Sequence, residues 1–160
     1  MVSKEKILKF SLLALIAATV IFIFVQSALP PEKSSAESDA VGGVIEEIIP
    51  PDTKPGAFIQ LNLRKIAHFV EFAALGLEIA LFVSFFMRRR IFVFLSYPAA
   101  LITAFFDESV QMFSGRGPAI LDVWIDFFGF FFLATLSYVI FFTVKYFLKR
   151  GTPKNNGKNN

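Results

Sequence analysis

The chain has no cysteine and only one histidine. The first absence removes disulfides, thiolate metal sites and a cysteine nucleophile, and it says nothing about redox compartment. The second makes a zinc centre less persuasive than a site built on oxygen ligands. Charge is thin as well, at 18% of residues, against about 25% in an average soluble domain. The net charge of +3 comes from basic residues that flank apolar blocks and form no stripe, so no nucleic-acid partner is expected. Also missing are an HExxH helix, a phosphate-cradling glycine-rich loop and a serine, histidine and aspartate arrangement. No inverted repeat is visible, and four apolar blocks are few for a transporter.

What is present is apolar: 55% of the residues, with 22 phenylalanines. They gather into four blocks, at about residues 10–29, 66–87, 91–113 and 123–144. Each block approaches or exceeds the roughly 20 residues needed to cross a hydrocarbon layer about 30 Å thick. The pattern predicts an all-α integral membrane four-helix bundle filling residues 10–148, with a disordered tail over 149–160. A cleavable signal peptide is the alternative for the first block, with Val25–Ser27 as a small-residue site. The run is longer than the roughly 7–15 apolar residues usual for such peptides.

Lysine and arginine set the orientation. With the N-terminus inside, the inner segments hold three, three and five basic residues, eleven of the sixteen. Both termini are then cytoplasmic, and the Arg88–Arg90 turn joins the second and third blocks as a hairpin. The first outer connection, 30–62, carries Val41, Val44, Ile45, Ile48 and Ile49 at helical spacing, with Glu37 and Asp39 ahead of them and Pro50-Pro51 behind. This predicts a short helix at the outer interface or capping the bundle.

Polar residues interrupt the apolar blocks on one face each. At 100° per residue, Arg64, His68, Glu71 and Glu78 share an arc of roughly 80°. Ser96, Thr103, Asp107, Gln111 and Ser114 share a face of the third block, with Glu108 pointing elsewhere. Asp122, Asp126, Gly129 and Ser137 share a face of the fourth. Ionisable groups at membrane depth are costly, so they face protein or water. Three stripes therefore imply one interior. Asp107 lies about 24 Å beyond Ile91, near the outer boundary, where His68, Glu71, Asp122 and Asp126 also enter. The expected cluster is His68, Glu71, Asp107, Gln111, Arg116, Asp122 and Asp126. Gly76, Ala80 and Gly129 would let backbones approach beside it.

Three readings of the cluster stay open. It is a hydrogen-bonded network with Arg64, Lys65 or Arg116 neutralising the acids, a recognition pocket for an anionic group, or a catalytic site with His68 or Glu71 as base. A divalent cation on Glu71, Asp107, Asp122 and Asp126 belongs to the last reading. No cofactor is expected.

The stretches RKIAHFVEFAALG, Arg64 to Gly76, and FFDESVQMFSGRGPAILDVWIDFFG, Phe105 to Gly129, resemble the VanZ-like family of small bacterial membrane proteins. Lys65, His68, Phe69, Glu71, Phe72 and Gly76 match the first motif. Asp107, Glu108, Gln111, Phe113, Arg116, Asp122 and Gly129 match the second, and Asp126 stands where Asn is common. The resemblance implies a four-helix envelope protein with its motif residues outside, and a family named for lowering teicoplanin susceptibility. It favours an outward pocket for an anionic lipid or cell-wall-linked ligand, with an enzyme acting on a lipid-linked phosphate or sugar as the alternative.

Overall fold

The computed structural model describes residues 3–116 and 119–151. Five helices follow in order: α1 Lys4–Ser27, α2 Pro31–Glu46, α3 Lys54–Phe86, α4 Ile91–Phe113 and α5 Ile120–Gly151. There is no strand among the described residues. Four of the helices, α1, α3, α4 and α5, are long and apolar enough to cross a membrane. The protein is a helical membrane bundle.

α3 and α5 make the central contact, with α4 against α5 and α1 laid across α3 and α4. The buried face of α3 repeats at three and four residues through His68, Phe72, Leu75, Gly76, Ala80 and Val83. Its partner face on α5 carries Asp126, Phe130, Ala134 and Tyr138. Two glycines set the separation. A Cβ on Gly76 would lie 2.5 Å from the Phe130 carbonyl oxygen, and one on Gly129 only 2.2 Å from that of Phe69. Each helix thus presses its backbone into the gap left by the other's missing side chain, the close approach that small residues allow in membranes.

The outer surface is the converse. Phe10, Ile21, Phe85, Phe94, Phe105, Phe132 and Ile140 are exposed, as expected where lipid replaces water. α1 buries only Ile23 and Ser27.

The helices run past the apolar blocks that announce them. α3 begins at Lys54, twelve residues before the predicted start, because Thr53 caps it: its Oγ accepts from Gly56 N–H at 3.2 Å, with proline in the first turn. Hydropathy marks the part of a helix that sits in lipid, not its ends. α1 likewise starts early at Lys4, where Ser3 accepts from Lys6 N–H. α5 continues to Gly151, beyond the expected stop at Val144, with Lys145 over Phe141 and Arg150 over Tyr146. Residues 149–151, expected in the tail, are therefore helical, and the rest of that predicted tail lies outside the described residues.

The connecting helix also differs from expectation. α2 begins at Pro31, so Glu32 occupies the first turn while Glu37 and Asp39 lie further along. Only Ile45 and Ile49 of the predicted apolar face are half-buried; Val41, Val44 and Ile48 are exposed. The reason is a glycine contact: Gly42 packs against Leu63, and the Gln60 amide donates to the Glu46 carboxylate. α2 folds back on the projecting first turns of α3.

Candidate functional site

Polar side chains converge where α1 and α4 end and α5 begins. The α4 terminus is a Schellman motif: Gly115 N–H donates to Met112 O at 3.3 Å and Arg116 N–H to Gln111 O at 3.1 Å. Gly115 supplies the positive φ of 88° that the motif requires. The reversal swings Arg116 back over the end of its own helix, where it is buried and donates to Gln26 O at 3.3 Å. Burial, then repulsion from Arg64, holds the Arg116 pKa below its usual value, while Asp107, Glu37 and Glu108 oppose that shift.

Asp107 is the hub. It is fully buried. Ser27 of α1 donates to its Oδ1, and Gln111 Nε2 donates to its Oδ2 at 2.8 Å. Gln111 in turn accepts from the Arg64 guanidinium. Ser114 ties the same corner by donating to Ser27 O at 2.9 Å. The chain Ser27, Asp107, Gln111, Arg64 thereby links α1, α4 and α3.

His68 Nδ1 lies 3.7 Å from Asp107 Oδ2 and 3.6 Å from Asp126 Oδ1. Both separations are too long for hydrogen bonds. Asp126 is fully buried, and neither of its oxygens has a hydrogen-bond partner among the described residues, nor has His68 Nδ1. Buried polar atoms are rarely left this way. Three ligating atoms, one each from His68, Asp107 and Asp126, lie within 4.8 Å of one another.

A cavity of about 150 Å³ opens above this group, lined by Leu61, Asn62, Arg64, Lys65, His68, Asp122 and Ile125. A larger one, about 740 Å³, lies at the opposite end among Arg88, Arg90, Phe141 and Lys145, with no acid or histidine in its walls. The smaller cavity is the candidate site, because the titratable groups meet there and size alone confers no chemistry.

The three predicted stripes do meet. Lys65, His68 and Asp122 line the cavity, and the fully buried Asp107 and Asp126 stand beside His68 without reaching its lining. Three expectations change. Glu108 does not point away: it is buried and accepts from Ala119 N–H, at the N-terminal edge of α5, at 2.5 Å. Asp107 and Glu108 sit 100° apart on α4, and the helix is wedged so that one meets α1 and the other α5. The closest ligand group contains His68 in place of Glu71 and Asp122, since α3 presents His68 directly toward α5. Finally, among the described residues no arginine or lysine lies within 4 Å of a carboxylate, so the acids are not neutralised by direct ion pairs. Glu78, unassigned from sequence, accepts from Thr19 at 2.9 Å. Thr103 and Ser137 donate to carbonyls of their own helices and leave the site.

Sequence reasoning placed Ser114 on the polar face of the third block but missed Ser27, its partner in holding α1 to the cluster. The available signal was a serine at the end of an apolar helix, level with Asp107.

A sequence model described as VanZ/LLP1 matches residues 10–150. Comparisons with curated proteins and with solved structures give no significant match.

Proposed function

The chain belongs to the VanZ/LLP1 family, and from that premise we propose that it is a multi-pass protein of the bacterial cell envelope whose outward pocket binds an anionic head group. The carrying observation is the cavity lined by Arg64, Lys65 and His68 of α3 and Asp122 of α5. Two cations at the mouth suit a phosphate or carboxylate. Asp122 adds an acceptor for a hydroxyl or amine on the same ligand. At about 150 Å³ the cavity is below the roughly 300–1,000 Å³ of drug-sized pockets. That size supports one head group, of a membrane lipid or a cell-wall-linked molecule, and argues against engulfing a glycopeptide.

The outward direction rests on basic residues. Among the described residues, Lys4, Lys6, Lys9, Arg88–Arg90, Lys145, Lys149 and Arg150, nine of the sixteen in the sequence, fall at the end opposite the cavity, and such residues favour the cytoplasmic side. In this reading both termini are cytoplasmic, and any lowering of teicoplanin susceptibility follows from occupancy of surface ligands by the pocket. A second reading, an enzyme acting on a lipid-linked phosphate or sugar, is favoured by one feature: His68 Nδ1, buried and unpartnered beside two carboxylates, is placed as a general base is.

Mass spectrometry of lipids retained by purified protein tests the pocket. Wild type should carry an anionic envelope lipid that an Arg64→Gln, Lys65→Gln double variant retains at least about tenfold less, the loss of two charge-assisted contacts. Equal retention by both proteins contradicts the pocket.

A further inference from the structure

The buried group behind the cavity, joined to it through His68, has a geometry that neither a structural network nor an anion pocket explains. Nδ1 of His68 and the nearest oxygens of Asp107 and Asp126 face one another at 3.7 and 3.6 Å. Hydrogen-bonded partners would be closer. Two ligands of one tetrahedral ion, each about 2.0–2.2 Å from it, stand about 3.3–3.6 Å apart. One observed separation stands at the wide edge of that range and the other about 0.1 Å beyond it, close enough for co-ligands that draw in around an ion.

A second observation is independent of spacing. Asp126 is 0% exposed and both its oxygens are unpartnered among the described residues, as is His68 Nδ1. A carboxylate buried so deeply without a hydrogen-bond donor must either take up a proton or be joined by a positive charge, and the facing His68 nitrogen and Asp107 oxygen make a shared cation the arrangement that uses all three groups. The neighbouring acid is prepared differently. Asp107 is pinned by Ser27 on one oxygen and by Gln111 on the other, the outer contacts that orient a metal-ligating carboxylate.

We infer that His68, Asp107 and Asp126 form a binding site for a divalent transition-metal ion of the kind that accepts mixed imidazole and carboxylate ligands, zinc or manganese. The imidazole argues against magnesium and calcium, which prefer all-oxygen shells. Three protein ligands leave a coordination position, and His68 also lines the cavity. A bound ion there would meet an anionic group entering past Arg64 and Lys65. The inference shares the pocket of the proposed function but needs no anion, so the two can fail separately.

The test uses the full chain in neutral-lipid nanodiscs and phosphate-free buffer, stripped with chelator, reloaded with zinc or manganese, desalted and analysed for metal. Wild type should retain about one ion per chain, Asp126→Asn and His68→Gln at least about tenfold less, and Lys145→Gln, at the opposite end of the bundle, as much as wild type. Retention below about a tenth of an ion per chain by wild type, or equal retention by the ligand variants, overturns the site. Should the ligand variants fail to fold, wild type alone decides: either metal should raise its melting temperature after chelation, and no shift with either overturns the site equally.

Discussion

Ser27 Oγ donates to a carboxylate that no water reaches, so its removal leaves an oxygen of Asp107 without that donor. Ser27→Ala should lower the unfolding free energy by about 1–3 kcal/mol, the cost of an unsatisfied buried acceptor. Thermal or denaturant unfolding of the purified protein measures it, and an unchanged stability would mean that α1 is not held through this contact. The same residue shows where sequence reading stops. Val25–Ser27 also offers a cleavage site as the alternative reading, because small residues at a helix end serve both purposes. In the folded chain a cut after Ser27 would take away one wall of the site. Histidine and the paired acids were legible, because polar groups in an apolar block must face protein. Glu108 was legible only through the motif, because a helical wheel assigns one inward face, and a helix wedged between two neighbours has two.

At the level of helices, the reciprocal glycines of α3 and α5 carry the tightest constraint. Gly129→Ala would set a methyl against the Phe69 backbone at 2.2 Å, and backbone cannot swing aside as a side chain can. The expected loss is at the upper end of the roughly 1–3 kcal/mol typical of overpacking. Gly43→Ala is the contrast, since nothing lies within 4 Å of its Cβ; helix propensity predicts a gain of up to about 1 kcal/mol. Comparable losses in both variants, measured by thermal unfolding in one detergent, would rule out close α3–α5 packing as the cause. Gly76 and Gly129 were foreseeable as small residues beside the polar cluster. The helix ends were not: Thr53 and Pro55 determine where α3 begins, and hydropathy is blind to both. α2 was misplaced for a related reason, since its inner side is set by Gly42 against Leu63 and by no apolar stripe.

For the whole molecule, the account stands or falls on polar groups from four helices meeting at one end of a membrane bundle and opening outward. The number and order of spanning helices followed from block length, and the meeting of the stripes from the cost of charge in hydrocarbon. Sidedness follows from lysine and arginine alone. A chain without cysteine allows that to be read directly, by adding one thiol at a time and labelling intact cells with a membrane-impermeant maleimide. Lys65→Cys, at the cavity mouth, should label in intact cells, and Arg89→Cys, in the turn at the opposite end, only after permeabilisation. Labelling of Arg89→Cys in intact cells with protection of Lys65→Cys would put the cavity on the cytoplasmic side and contradict the account.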